Sequence, residues 1–432
     1  MGPVVAVAGD ILVRTFHALL CARESCYLQA LQLYEFSMAD WIPMFTLPNI
    51  TLTEPIETEG VALVSTGDER IAEIISEHPA FQTYIQSFKT EFDRSLAPSF
   101  VLVHNDAPQA FRGVEALAAF RDILSVSTIP LSWAKSLRFG HPAMGIHYSN
   151  WFSIYPWMLG KNSELLVSVT MATNGVDDVK RLRGQSSAGL TPRHIDKNLT
   201  DHVLLDELLR RWQKCYRAKT PEREDVALFR SLNMANSAAL LPAGIEVTTY
   251  DIGRSVSLWV SAFEILSPAK RLAYFNVYEN LKRVEYGLSA FQSADYEAHG
   301  FKERPVKETL PCWIYGELYK ARNDFLHGNP VTQDRLTVRP TDRSLFIYAA
   351  PLYRLGLTGF LDLHFKRPIP SKDDTAAFAA FISDRMDFRF NQGNIESGIS
   401  TILYTEEEDR ARSKGQAVDP AANLWTGLSD DC

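Results

Sequence analysis

The pattern of apolar residues changes near residue 198, and this change constrains the fold more than any other feature of the sequence. Before it, short β-branched stretches interrupted by prolines, as in residues 42–56, alternate with helical patterns such as residues 69–92. After it, almost every segment has helical periodicity and the connections are short. We therefore expect an α+β chain, in which a mixed α/β domain precedes a bundle of about five to seven helices.

The domain boundaries follow from the position of the turn residues. Residues 181–198 combine glycine, proline and charged residues without periodicity, which is typical of a linker. We assign residues 1–195 to a mixed domain for recognition or sensing, and residues 198–404 to a helical bundle that is expected to fold alone. Residues 405–432 begin with an acidic run and are expected to form a mobile tail.

Composition narrows the class of protein and its setting. With 46% hydrophobic and 22% charged residues, the chain resembles an ordinary globular protein whose core needs no disulfides. Its five cysteines are scattered and lack metal-ligand spacing. This pattern predicts reduced thiols in a cytoplasmic setting, and it predicts neither a metal nor another cofactor.

Two further features bear on membranes and nucleic acids. The N-terminal apolar run has no basic residue ahead of it, so we expect no secretory signal. The apolar residues 345–363 contain Pro351 and Arg354, which predicts a buried, kinked helix and no membrane span. A net charge of −8 provides no chain-wide basic footprint for nucleic acid.

The segment YKARNDFLHGNP, residues 319–330, concentrates the candidate functional side chains. Tyr319, Asn323 and His327 are four residues apart and share one face of the predicted helix. Arg322 lies one position off that face, and its long side chain can reach toward His327. The spacing therefore predicts an arginine and a histidine close together at the end of a helix.

The end of this helix also has a purely structural interpretation. Gly328 is the expected first residue beyond the cap, and Pro330 prevents the helix from continuing. His327 then lies in the last turn, where the helix dipole favours an imidazolium and also suits an arginine. Capping alone can account for the pair, so the motif gains weight only from its surroundings.

Those surroundings resemble the HEPN superfamily, most closely its Apea-like branch. The R-x4-6-H pattern of that family, with a polar residue after the arginine, matches Arg322, Asn323 and His327. A helix of the A-x-E-x-L type corresponds to residues 262–266, with Glu264 one place early. Arg230, Ala235 and Asn236 lie in a further helical segment upstream. The resemblance covers about residues 200 to 400 and leaves the N-terminal half uncovered.

The resemblance implies a homodimer of helical bundles, with the arginine and the histidine of both subunits in one cleft. It implies a metal-independent endoribonuclease acting on RNA in a prokaryotic toxin or antiviral system. We also expect a phage or cellular trigger to act at the N-terminal domain, which the resemblance does not cover. The residue types suit that chemistry, since cleavage by the 2′-hydroxyl needs a base, an acid and a cation. Asn323 is expected to orient His327 or to donate to the phosphate.

Several supporting residues have competing interpretations. Glu264 is expected to pair with Arg322 or with a helix end, and Tyr319 belongs in the core or an interface more often than in catalysis. Trp313 and Tyr315 suit either base stacking or the core. A basic run suits RNA phosphates or a solvated helix face, and it comprises Arg210, Arg211, Lys214 and Arg217. The alternative function is a non-catalytic dimerisation or nucleotide-binding module, with recognition by the N-terminal domain.

Overall fold

The computed structural model describes most of the chain in thirteen stretches: residues 40–90, 92–140, 145–155, 157–159, 166–168, 193–241, 248–267, 273–300, 302, 304–329, 333–338, 343–363 and 370–404. The chain divides into two compact units, residues 1–108 with 153–194 and residues 109–152 with 195–432. The predicted tail at 405–432 and most of the predicted linker lie outside the described residues.

The first unit contains a four-stranded antiparallel sheet with the strand order β1-β5-β4-β3. The central strands β4 and β5 are buried along nearly their whole length, as expected for interior strands. Strands β6 and β7 form a separate antiparallel pair. The strands are β1 (Trp41–Leu47), β2 (Ile50–Leu52), β3 (Ile56–Thr58), β4 (Val61–Ser65), β5 (Ser99–His104), β6 (Trp157–Leu159), β7 (Leu166–Ser168) and β8 (Arg193–Ile195).

Two short helices of the first unit replace the single helix predicted over residues 69–92. Helix α1 spans Glu69–Glu77 and α2 spans Pro79–Gln86. Pro79 has no backbone N–H to donate into the preceding turn, so it ends α1 and occupies the first turn of α2. The apolar faces of both helices share one core with β4 and β5, including Ile74, Phe81 and Phe100.

The second unit is largely helical, which confirms the α+β class with helices after a small N-terminal sheet. Its described helices are α3 (Val114–Phe139), α4 (His202–Arg217), α5 (Arg223–Ala238), α6 (Thr249–Leu266), α7 (Ala273–Leu281), α8 (Ser289–Gln292), α9 (Leu310–Leu326), α10 (Phe346–Leu361) and α11 (Thr375–Ser400). Two short hairpins accompany them, β9 (Tyr296–Ala298) with β10 (Val306–Glu308) and β11 (Thr337–Val338) with β12 (Arg343–Ser344).

Helix α3 differs from the predicted domain assignment. The sequence pattern assigns α3 to a domain of residues 1–195, whereas in the structure α3 packs against α4, α5, α10 and α11 in the helical unit. Its middle turns are buried on all sides, which requires neighbours around the whole helix. Residues 198–404 therefore do not include all of the helical unit, since a chain cut at 198 loses α3.

A buried ion pair joins two helices of this unit that are far apart in the sequence. Asp201 caps α4 by accepting from the Leu204 N–H, and it also accepts from Arg354 Nε of α10 at 2.9 Å. Arg354 is only 1% exposed, so α10 is the buried helix that its sequence predicts. None of the helices in the described part of the chain is long and apolar enough to cross a membrane.

Candidate functional site

Helices α6 and α9 form an antiparallel pair that positions the predicted site. The rings of Phe263 and Tyr315 lie 5.1 Å apart at one level of the pair. Further along, Gly253 faces Phe325 so closely that a Cβ on Gly253 would lie 2.2 Å from the ring. Glycine at 253 thus allows the C-terminal end of α9 to approach α6.

Arg322 reaches across this interface. Its Nη2 lies 3.7 Å from Glu264 Oε2, its Nη1 donates to Asn323 Oδ1 at 3.1 Å, and its guanidinium lies 5.6 Å from the Tyr319 ring centre. Helical side chains lean toward their own N-terminus, so in an antiparallel pair Arg322 and Glu264 lean toward each other. The predicted pairing of Glu264 with Arg322 is confirmed, whereas the expected reach of Arg322 toward His327 is replaced by this contact.

Two titratable groups near Arg322, Glu264 and Tyr315, have pKa values that are raised by burial. Burial raises the pKa of the Glu264 carboxyl, and the Arg322 charge opposes that rise. Tyr315 is fully buried, and both its burial and the adjacent Glu264 raise the pKa of its hydroxyl. Neither the Tyr315 hydroxyl nor Arg322 Nε has a hydrogen-bond partner among the described residues. The terminal nitrogens of Arg322 make one hydrogen bond, from Nη1 to Asn323, and therefore keep donors beyond the contact with Glu264.

His327 lies at the C-terminal end of α9, and its imidazole is exposed to solvent. It is the C-cap residue, its N–H donates to the Asn323 carbonyl at 2.9 Å, and its side chain is exposed. Gly328 follows with a φ of 69°, and the Asn329 N–H donates to the Asp324 carbonyl at 3.0 Å. The predicted helix end is confirmed, because only the positive φ at Gly328 lets the chain turn back onto the last carbonyls.

The aromatic residues of α9 divide between core and surface. Tyr315 is fully buried, so of its two predicted roles the core position is correct. Tyr319 is half-buried, and its ring lies 5.3 Å from those of both Tyr274 and His299. Trp313 stacks on Tyr296 of the β9–β10 hairpin at 5.9 Å. Tyr319 is thus part of an aromatic cluster that supports Arg322.

The basic run predicted to bind RNA lies on α4, which packs mainly on α3, whereas α9 packs mainly on α6. Three of its four members form ion pairs with acids, and Arg217 also makes an interaction. The ion pairs are Arg210 with Glu207 at 2.5 Å, Arg211 with Asp225 at 2.7 Å and Lys214 with Glu222 at 2.7 Å. This pairing with acids favours the solvated-face interpretation of the run.

The structure also contains a cavity that no sequence motif indicates. It has a volume of about 390 Å³ and adjoins the predicted site through Asn323. Its lining comes from the β9–β10 hairpin, from α9 and from a turn at residues 333–336. Segments so far apart in sequence share no motif, so only chain folding brings them together.

The upstream residues of the resemblance lie on α5. Arg230 is exposed, Ala235 is buried, and the carbonyl of Asn236 accepts a hydrogen bond from Ser149 Oγ at 2.6 Å.

Among the described residues, no group of three or more His, Cys, Asp or Glu side chains is placed to hold a metal ion. Comparison with known proteins yields no matching family model, no matching curated protein and no matching solved structure. The resemblance to HEPN proteins accordingly rests on the motif residues alone.

Proposed function

We propose that this chain is a metal-independent endoribonuclease of the HEPN type that acts on RNA as a homodimer. One observation carries the proposal. Arg322 is held by Glu264 and Asn323 next to the end of a helix whose exposed cap is His327. An anchored cation and an accessible imidazole five residues apart are the groups that phosphodiester cleavage by a 2′-hydroxyl requires.

The reaction assigns a role to each group. A neutral His327 accepts the proton of the 2′-hydroxyl while that oxygen bonds to the adjacent phosphorus. The bond from phosphorus to the 5′-oxygen breaks, and a protonated histidine gives its proton to that oxygen. Arg322 stabilises the charge on the phosphorane, since a planar guanidinium matches phosphate oxygens. The products are a 2′,3′-cyclic phosphate and a 5′-hydroxyl, and the side chains supply every group without a metal.

A second copy of the chain completes this site, because one histidine cannot be acid and base in the same step. Exposed apolar side chains lie at the relevant end of the α6–α9 pair. Tyr250 is 79% exposed and Leu326, next to His327, is 60% exposed. Apolar residues so placed suit a two-fold interface that brings two copies of His327 and Arg322 together.

The biological setting is proposed from the resemblance alone. A toxin or antiviral ribonuclease acts in the cytoplasm and must stay inactive until it is triggered. The N-terminal domain is the candidate for recognising a phage or cellular trigger, since the resemblance does not extend to it.

The test uses purified full-length chain, single-stranded RNA and excess EDTA. Wild-type protein should cleave and leave 2′,3′-cyclic phosphate ends. His327→Ala should lose activity by about 10²–10⁴-fold and Arg322→Ala by about 10²–10³-fold. The matched control is His202→Ala, which removes an imidazole from α4 of the same unit. Cleavage abolished by EDTA, or unchanged in His327→Ala, would refute the proposed mechanism.

The alternative is a non-catalytic dimerisation or nucleotide-binding module. The contact of Arg322 with Glu264 favours it, since a purely structural ion pair would have the same geometry. Wild-type protein that dimerises or binds nucleotides but cleaves no RNA would establish this alternative.

A further inference from the structure

The cavity beside Arg322 has the dimensions of a ligand site. Its volume of about 390 Å³ lies within the range of about 300–1,000 Å³ that is usual for small-molecule pockets. It lies between the second half of α9, the β9–β10 hairpin and the turn Gln333–Leu336. The lining residues are Ala298, His299, Pro305, Lys320, Asn323, Asp324 and Arg335.

Asn323 connects this cavity to the proposed catalytic residues. Its side chain accepts from Arg322 Nη1 at 3.1 Å, and the same residue lines the cavity. When the scissile phosphate of an RNA strand lies at Arg322, the adjoining nucleotide can therefore reach the cavity.

The charged groups of the lining suit a phosphate. Asp324 accepts from Arg335 Nε at 2.6 Å and from Asn329 Nδ2 at 3.1 Å, so its charge is already compensated. In the described part of the chain, the terminal nitrogens of Arg335 make no hydrogen bond. Lys320 uses one donor on Glu317 at 2.6 Å and retains two others. Both cations are partly exposed and keep donors for an anion.

Other residues of the lining suit a base. The His299 ring lies 4.9 Å from the Tyr274 ring and 5.3 Å from the Tyr319 ring, so its orientation is held by two aromatic neighbours. Pro305, which is exposed, adds apolar surface to the same lining. Planar rings of this kind stack unpaired bases in single-stranded RNA.

We infer that this cavity binds the nucleotide adjoining the scissile phosphate, with its phosphate on Lys320 and Arg335 and its base on His299. The inference rests on the proposed ribonuclease function and names the part of the substrate that the site recognises. It also explains why the α9 motif is followed by a turn carrying Arg335, since that turn closes one side of the cavity.

The test compares binding and cleavage in full-length protein. The four nucleoside 3′-monophosphates are titrated separately by calorimetry in EDTA, and a short fluorescent single-stranded RNA serves for kinetics. At least one nucleotide should bind the wild type. Lys320→Met should weaken that binding and raise KM by about tenfold or more, the effect of losing one hydrogen bond to a charged group, with kcat much less affected. The control Lys307→Met removes a charge from β10 outside the cavity and should leave both values unchanged.

Each remaining outcome separates this inference from the ribonuclease proposal. Cleavage of RNA with unchanged nucleotide affinity and KM in Lys320→Met and Arg335→Met overturns the cavity inference and leaves the ribonuclease standing. Binding that depends on Lys320 without any cleavage supports the cavity and overturns the ribonuclease. Absence of both binding and cleavage overturns both. If Arg335→Met fails to fold because Asp324 loses its partner, Lys320→Met decides alone.

Discussion

Arg322 and Glu264 form an ion pair between α9 and α6, with Nη2 and Oε2 3.7 Å apart. The two residues are 58 positions apart in the sequence, counting from 264 to 322. The pair holds the guanidinium in place beside the exposed cap of α9, while Arg322 Nε has no partner among the described residues. Arg322 is thus held by Glu264 and Asn323, while the N–H groups of its terminal nitrogens that these contacts do not use remain as donors for a ligand.

The half-buried Glu264 should make stability depend on pH. Burial raises its folded-state pKa above the unfolded value, so the folded chain binds this proton more tightly than the unfolded chain. Stability from this group is therefore present below the unfolded pKa of about 4.5 and is lost as pH rises through the folded pKa. Urea unfolding at several pH values should show this loss in the wild type and not in Glu264→Gln. Parallel curves for the two proteins would contradict the prediction.

Gly253→Ala should destabilise the protein although it improves helix propensity. Alanine in place of a helical glycine gains about 1 kcal/mol, whereas overpacking costs about 1–3 kcal/mol, and the new Cβ would meet the Phe325 ring at 2.2 Å. Displacing Phe325 should also shift the end of α9 and lower cleavage.

Gly393→Ala on α11 is the matched control, because nothing lies within 4 Å of its added Cβ. It should stabilise the protein by about 0.5–1 kcal/mol in thermal unfolding. Equal effects of the two substitutions would show that the contact with Phe325 does not limit α6–α9 packing.

Leu326→Asp should produce a monomer with little cleavage activity. A charge placed in an apolar two-fold interface would be desolvated twice, once in each copy. Sedimentation velocity at micromolar concentration gives the oligomeric state, and circular dichroism checks the fold. Phe390→Asp on α11 is the control, since Phe390 is 53% exposed and lies on another helix. A Leu326→Asp dimer with full activity would argue against this interface.

The basic run of α4 should contribute little to RNA affinity. Arg210 and Lys214 are already paired with Glu207 and Glu222. Each lysine or arginine that contacts a phosphate adds about 1 to the slope of log K against log salt concentration. Arg210→Gln and Lys214→Gln should therefore leave the slope unchanged in filter-binding titrations. A reduction of about 1 for each substitution would restore this run as an RNA contact.

Arg354→Met should be among the most destabilising substitutions in the helical unit. It leaves Asp201 buried without its cation, which typically costs about 3–5 kcal/mol. Denaturant unfolding measures the loss. Adding Asp201→Asn should recover part of it, because asparagine removes the buried charge and still caps α4. A double variant as unstable as Arg354→Met would show that the charge of Asp201 is not the cause.

Local features of this protein could be predicted because their causes are local. The end of α9 at His327 and Gly328 follows from cap chemistry within six residues. Pro79 is an equally local signal for the end of one helix and the start of the next. The prediction of a single helix over residues 69–92 did not take it into account.

The sequence by itself determined the α+β class, the helical character of the second half of the chain and the position at which α9 ends. Tertiary structure alone decided that α3 packs inside the helical unit, that Arg322 pairs with Glu264, and that His299, Lys320 and Arg335 surround one cavity. Periodicity shows that a helix must bury a face, because side-chain direction repeats with the backbone. It does not show which distant element covers that face, because many partners satisfy the same apolar pattern and only the packing of the whole unit selects one.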